Sequence, residues 1–241
     1  MYRISDIYLK EVEKLEEFAA ELMSQLESKV SFVVPVFGGI PIATSVVITW
    51  GIMLVLVVAS KLLVRNLTLV PTGPQVYMEA VVGWLNHFFE DILGEEGKRY
   101  IPYLGTVALY IGCANTVGII GLTPPTKDLN VTAGLSLLSI LLIEYSGIRA
   151  KGIKGWGKSF AEPMPLLAPI NFLELFIRPL SLCMRLFGNV LGGFVVMELI
   201  KLVAPTIVPI PFSLYFDIFD GLIQTYVFVF LTSLFMKEKM E

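Results

Sequence analysis

The chain has 241 residues, 55% of them hydrophobic and 16% charged, and a formal net charge of −3. Its mean hydropathy of +0.75 excludes an ordinary soluble domain and indicates a membrane protein with several spans. The small negative charge gives no reason to expect a nucleic-acid partner. A single histidine, His87, and two cysteines in apolar runs provide no ligand set for a metal or a cofactor.

The first 35 residues are predicted to form an amphipathic segment on the membrane surface. Over residues 2–29, apolar side chains recur at roughly helical spacing among Glu and Lys, without Pro or Gly. A solvated helix with no specific role is the alternative. The remaining residues, 36–241, are interpreted as one membrane domain.

Five apolar segments of this domain are predicted to be transmembrane helices, because about 20 residues suffice to cross a hydrocarbon core of about 30 Å. An additional amphipathic helix over 73–97 carries three polar residues, His87, Glu90 and Asp91, and is expected to lie in the membrane interface. The five spans are predicted at about 41–63, 101–121, 131–148, 165–203 and 213–236. The predicted fold class is therefore an all-α polytopic membrane protein.

Basic residues predict the orientation of the spans. Arg149, Lys151, Lys154 and Lys158 follow the third span within ten residues, and short loops of this kind stay in the cytoplasm. Counting from this loop puts every other basic cluster next to a span on the same side. The N-terminus is then outside and the C-terminus cytoplasmic.

The fourth span is too long for an upright helix. If residues 170–203 form one helix, it is about 51 Å long at 1.5 Å per residue, so it is predicted to tilt by about 50–55° from the membrane normal. A break at Pro179 would reduce this tilt. The last two spans are thus expected to form a strongly tilted hairpin.

Polar residues form a stripe on each of these two spans. Each residue of a helix is rotated by 100° from the one before it, and residues whose summed rotations nearly coincide lie on the same face. The stripe of the fourth span consists of Glu174, Arg178, Ser181, Arg185, Asn189 and Gly192. The stripe of the last span consists of Asp217, Asp220, Gly221 and Gln224. The short connection between the two spans would allow the stripes to face each other.

Arg185 is the most informative residue, because an intramembrane charge costs about 2.5–3.5 kcal/mol and usually marks an ion pathway or a partner. Glu174 is predicted toward the inner side of Arg185, and Asp217 and Asp220 toward the outer side. The fixed cation would therefore separate two halves of an ion path. The alternative is that Arg185 pairs with a carboxylate and joins two helices.

Two segments, RPLSLCMRLFGNV (178–190) and FDIFDGLIQTYVFVFLTSLF (216–235), resemble signatures of subunit a of F-type ATP synthases. The resemblance extends over about residues 40–236. It implies a stator subunit, without catalytic chemistry of its own, that couples H+ or Na+ translocation to rotation of a ring of c subunits and to ATP synthesis. It further implies that the c-ring, peripheral stalk subunit b and the rest of the synthase are partners, in an energy-transducing membrane such as the bacterial inner membrane.

The resemblance also implies roles for single residues. Arg185 matches the family Arg that attracts the c-ring carboxylate and blocks leakage between two aqueous half-channels. Asn189 and Gln224 match polar residues near that Arg. Glu174 and Ser181 match positions near the inner path.

The outer path is where this sequence departs from the family pattern. Asp217 matches a site usually filled by Glu or His, and Asp220 is an additional acid. Nine residues after the Arg, where many family members have an acid, this chain has Phe194. Glu198 lies about 220° around the helix from Arg185, so it is not expected to replace that acid. The outer acid, Asp217 or Asp220, and the coupling ion stay open.

Two other function classes are alternatives. An ion-coupled secondary transporter would predict an internal repeat and a broken-helix substrate site. A membrane enzyme would need a nucleophile, a metal cluster or a proton-transfer pair. The sequence shows none of these features.

Overall fold

The computed structural model describes residues 30–34, 40–64, 73–160, 166, 168–204 and 208–241. Six long helices run through these ranges: α1 Thr44–Leu63, α2 Pro74–Gly97, α3 Ile101–Thr116, α4 Leu129–Ser159, α5 Ala168–Val203 and α6 Pro209–Met240. In this part of the chain, five segments are long and apolar enough to cross a membrane, with α2 and α3 in one of them. The predicted all-α fold with five spans is confirmed.

A short β-hairpin precedes α1. Strands β1 (Val30–Val34) and β2 (Ile40–Ala43) pair antiparallel, and Ser31 Oγ lies 2.9 Å from Thr44 Oγ1. The β-branched and aromatic residues of VSFVV favour an extended chain. The helix of the first predicted span therefore begins at Thr44 rather than at residue 41. The amphipathic helix predicted over 2–29 lies outside the described residues, and the domain division after residue 35 stays a prediction.

Helix α2 occupies the range predicted for the interfacial helix. Phe89 and Leu93 are buried, whereas Tyr77 and Trp84 are exposed, as expected for an amphipathic helix. Gly94 departs from helical geometry with φ 66°, and a 3₁₀ turn leads from there into α3. The position of α2 in the membrane interface stays a prediction.

Helix α4 is longer than the span predicted at 131–148. Asp128 caps its N-terminus by accepting a hydrogen bond from the backbone N–H of Asn130 at 3.0 Å. The basic segment 149–158, expected to be a loop, is helical on both sides of a kink at Gly152, where φ is 74°. Only glycine adopts this conformation at little cost, so the helix bends there instead of ending.

Helix α5 passes through Pro179 and contains 36 residues, a length of about 54 Å. This length is the reason for the expected tilt of α5, and the tilt itself stays a prediction. Helix α6 contains one π-helical segment, Leu214–Asp220, followed by the α-helical part Gly221–Met240. Such insertions change the direction of side chains relative to a regular helix and often occur at functional sites.

The core lies where α4 packs between α5 and α6, and α6 in turn contacts α2 and α3. Large side chains buried there are Phe89, Leu104, Ile111, Ile143, Leu182, Leu186 and Met236. Helix α1 is peripheral, and two polar contacts attach it: Ser45 Oγ donates to Asp128 Oδ2 at 2.6 Å, and Thr49 Oγ1 lies 3.0 Å from Tyr110 Oη. Helix α4 covers one face of α5, and none of the described residues covers the opposite face, which we call the open face.

Candidate functional site

The open face of α5 carries Arg185. Its residue is exposed, and it makes no hydrogen bond or ion pair with any residue that the structure describes. Leu182 and Leu186 are buried on the side of α5 that packs against the core. Gly188 and Gly192, on the exposed side, are bordered by open space. The structure thus gives no support, within the described ranges, to the alternative in which Arg185 joins two helices of this chain.

Arg178, by contrast, is paired through one of its two terminal nitrogens, while Nη1 is buried without a hydrogen-bond partner among the described residues. Its Nη2 donates to Glu174 Oε2 at 2.6 Å and to Glu238 Oε1 at 2.7 Å, and its side chain is only 10% exposed. The guanidinium also lies 4.8 Å from the ring centre of Phe235. This cluster connects α5 to the C-terminal part of α6. Sequence analysis missed Glu238, which lies 60 residues away and has no local signal.

A cavity of about 810 Å³ opens between α5, the beginning of α6 and the loop after α3. Its polar lining consists of Asn115, Thr123, Lys127, Asn189, Glu198, Lys201, Ser213, Asp217 and Asp220. The structure therefore brings three of the expected site residues together: Asn189, Asp217 and Asp220. Ser181, on the other side of Arg185 along the helix, is exposed and does not line this cavity.

Asp217 is held at the cavity wall from two sides. Its Oδ2 accepts a hydrogen bond from Ser213 Oγ at 2.6 Å. Its Oδ1 lies so close to Gly118 that a methyl group on that glycine would be 2.6 Å away. In this position the carboxylate occupies space that a side chain at residue 118 would need.

Asp220 contacts the interior of the helix bundle. Gln224 is buried, and its Nε2 lies 3.4 Å from Asp220 Oδ1, to which it donates. Gln224 itself is not part of the cavity lining. Two of the predicted polar residues of α6 are therefore neighbours, with Asp220 at the cavity and Gln224 behind it.

A buried polar chain fixes the floor of the cavity. Asn115 Nδ2 donates to the carbonyl oxygen of Gly221 at 3.1 Å, and Thr126 Oγ1 donates to Asn115 Oδ1 at 2.8 Å. These contacts tie the loop after α3 to the first turn of regular helix in α6. Sequence analysis missed both residues, because each satisfies a partner that only the tertiary structure supplies.

Two lysines lie in this cavity. Lys127 is buried, with Nζ 3.4 Å from the ring centre of Phe194, a geometry in which the ring face attracts the ammonium group. Lys201 Nζ lies 2.8 Å from Glu198 Oε1. At the position where many family members have an acid, Phe194 therefore provides the ring that the Lys127 ammonium group contacts.

The expectation that Glu198 is on the wrong face of α5 is wrong, because Glu198 lines the same cavity as Asp217. Phe194 itself lies about 180° from Arg185, and Glu198 follows Phe194 by only about 40° around the helix. The cavity lies between α5 and the beginning of α6 and reaches along α5 from Asn189 to Lys201. The angle around the helix between Glu198 and Arg185 therefore does not decide whether Glu198 lies near the position of the family acid.

The other end of the bundle holds a second polar cluster. Glu144 lies 3.5 Å from Lys239 Nζ and accepts a hydrogen bond from Trp156 Nε1 at 2.7 Å. Lys239 also lies 4.6 Å from the ring centre of Phe160. The basic C-terminal parts of α4 and α6 thus meet at the end opposite the cavity, which is at the beginning of α6.

Comparison with known proteins agrees with the sequence resemblance. Residues 44–237 match the family model described as ATP synthase A chain. The sodium ion specific ATP synthase subunit a of Propionigenium modestum is 35% identical, over 83% of this chain and 74% of the relative. ATP synthase subunit a of Moorella thermoacetica is 38% identical, over 81% of this chain and 89% of the relative. Subunit a 1 of Pelobacter propionicus is 37% identical, over 83% and 88%. The chain therefore belongs to the family of subunit a of the F-type ATP synthases, an integral membrane component of the Fo sector.

Proposed function

We propose that this chain provides two ion half-channels and the arginine that couples H+ or Na+ translocation to rotation of the c-ring. The observation that carries the proposal is the exposed Arg185 on α5, which has no hydrogen-bond or ion-pair partner among the residues that the structure describes. A guanidinium cannot lose its charge, and a charge facing lipid alone is costly. A carboxylate on a neighbouring subunit would supply the missing partner, and a c subunit is the neighbour that the family resemblance implies.

The cavity is proposed as the outer half-channel. It is lined by Asn189, Asp217 and Asp220. The two carboxylates can take up and release a proton, and all three side chains offer oxygens to Na+. Asn189 follows Arg185 by four residues, about 6 Å along the helix axis. An ion leaving the cavity would therefore reach the c-ring carboxylate just before it meets the fixed cation.

The inner half-channel is proposed to pass Ser181 and Glu174, on the other side of Arg185. Ser181 precedes Arg185 by four residues and is exposed, and Glu174 is half exposed beside Arg178. Arg185 would then block direct flow between the two paths. Each elementary charge that crosses 100 mV supplies about 2.3 kcal/mol, and a leak past Arg185 would dissipate this free energy.

Partners and orientation are part of the same proposal. The c-ring would contact the open face of α5, and peripheral stalk subunit b and the rest of the synthase would hold this chain still. The meeting of the basic ends of α4 and α6 supports a cytoplasmic C-terminus, with the N-terminus outside. The membrane would be an energy-transducing one, such as the bacterial inner membrane.

The test is ATP-driven ion pumping by the assembled synthase in vesicles, with Arg185→Ala in this subunit. We expect ATP hydrolysis without pumping, and passive ion conduction through the uncoupled complex. Arg99→Ala removes an exposed arginine outside the site and is the control. Normal pumping by Arg185→Ala would contradict the proposal. Hydrolysis rates with and without Na+ at several pH values identify the ion.

A further inference from the structure

We infer that Glu198 is the carboxylate that receives the coupling cation in the outer cavity and passes it on to Asp217. The inference rests on the proposed function, because it assigns a role within the outer half-channel. It concerns a residue for which neither the spacing of the stripes nor the family resemblance predicts a role.

The position of Glu198 is the first step. It lines the cavity together with Phe194, one helical turn earlier, and with Lys201, one turn later. Its side chain is 19% exposed, so it is largely shielded and yet accessible from the cavity. A carboxylate in this setting can interact with an ion that has lost part of its water.

The charge balance of the cavity is the second step. Among the described residues that line it, the acids are Glu198, Asp217 and Asp220, and the bases are Lys127 and Lys201. Three carboxylates against two ammonium groups leave one negative charge. Without Glu198 the sum is zero, and a cation would gain little by leaving water. Glu198 is therefore one of three acids on each of which the net negative charge of the cavity depends.

The partner of Glu198 is the third step. Lys201 Nζ is 2.8 Å from Glu198 Oε1, and the lysine side chain is 50% exposed. A partly exposed ion pair of this kind is worth about 0–1 kcal/mol, and an ammonium group on a flexible stem moves away easily. Lys201 can thus neutralise Glu198 when the site is empty and be displaced when a cation arrives.

The remaining charged groups favour transfer inward. Lys127 lies over Phe194 on the same wall, which makes the position of Phe194 unfavourable for a cation. Asp217 and Asp220 face the cavity from the π-helical segment of α6. The path of lowest energy for a cation therefore leads from Glu198 across the cavity to the aspartates.

The experiment compares Glu198→Gln with Lys201→Gln in the complete synthase, reconstituted in vesicles. ATP synthesis is measured against the concentration of the coupling ion on the side to which the cavity opens. We expect Glu198→Gln to raise the half-saturating concentration by about tenfold, and Lys201→Gln to lower it by about threefold, since they shift the local charge in opposite directions.

A merely structural ion pair predicts a different result. If Glu198 only held the end of α5 through Lys201, both variants would break the same pair and act in the same direction. Glu95→Gln is the matched control, because Lys98 Nζ and Glu95 Oε1 form a pair of the same spacing at 2.8 Å outside the cavity. Glu198→Asp keeps the charge and should remain within about threefold of the parent.

Two further measurements separate the outcomes. In 1 M choline chloride, where the screening length is about 3 Å, the effect of Glu198→Gln persists if the ion binds at this carboxylate and disappears if the charge only attracts ions from a distance. An unchanged half-saturating concentration, or shifts of equal sign, overturns the inference alone, provided that Arg185→Ala is uncoupled. Normal coupling in Arg185→Ala overturns the proposed function and the inference with it.

Discussion

Arg178 and Arg185 lie two helical turns apart on the same side of α5, and of the two only Arg178 is paired within the residues that the structure describes. Two carboxylates, Glu174 and Glu238, neutralise Arg178 at 2.6 and 2.7 Å. Arg185 has the exposed Gly188 and Gly192 beside it, and no acid pairs with it among the described residues. The same type of side chain therefore joins α5 to α6 at one position and is exposed at the other, and a partner for Arg185 on another subunit stays a proposal.

Replacing Arg178 by Met should destabilise the subunit. The two carboxylates would lose a shared, charge-assisted hydrogen-bond donor, an effect of about 1–3 kcal/mol. Thermal unfolding of the purified complex and the yield of assembled subunit measure this loss. Lys237→Gln is the control, because its pair with Glu241 is exposed and 3.8 Å long, and it should change stability by no more than about 0.5 kcal/mol. Normal stability with lost pumping would instead assign Arg178 to the ion path.

Replacing Arg185 by Lys should abolish ATP-driven pumping without opening a leak. Lysine keeps the positive charge but lacks the planar arrangement of five donors, so contact with a carboxylate on a moving ring is lost while the barrier to cations remains. Pumping and passive conduction are measured on the same vesicles. Passive conduction equal to that of Arg185→Ala would show that charge alone is not the barrier.

The spans were predictable because long apolar segments are a strong signal. The helical continuation of α4 beyond residue 148 was not, since basic residues and three glycines are typical of a loop and only the packed end of the bundle makes helix favourable there. Trp156 and Lys239 both contact Glu144, and these contacts stabilise that end. The β-hairpin before α1 was missed for another reason: strands of five and four residues are too short to show a reliable alternation of apolar and polar side chains.

The site was predictable only in part. A rotation of 100° per residue predicted that Asp217 and Asp220 lie on the same face of the last span. In the structure both line the cavity, although the chain there is π-helical. Lys127 follows two prolines in a turn, and nothing in its spacing points to Phe194. Such contacts depend on how α5 packs against the loop after α3. The spacing of residues within one helix gives no information about this packing.

Replacing Asp217 by Asn should impair ion uptake from the outer side. The amide cannot carry the negative charge that holds a proton or Na+, although it can keep the hydrogen bond to Ser213. ATP synthesis at limiting ion concentration is the measurement, with the exposed Asp91→Asn as control. Transport equal to that of the parent would transfer the role of outer acid to Asp220.

Replacing Gly118 by Ala should weaken ion uptake without changing any charge. The added methyl group would lie 2.6 Å from Asp217 Oδ1, so the carboxylate must move and its hydrogen bond to Ser213 is disturbed. We expect ATP synthesis to fall at limiting ion concentration and to recover at high concentration. Gly105→Ala, on α3 with open space around it, is the control.

The double variant shows whether this effect acts through the carboxylate. If Gly118 matters because it leaves room for Asp217, then Gly118→Ala should add little in a chain that already carries Asp217→Asn, since residues in direct contact are not additive. Rates of ATP synthesis for the parent, both single variants and the double variant complete the cycle. Fully additive losses would mean that the loop after α3 acts on the ion path independently of Asp217.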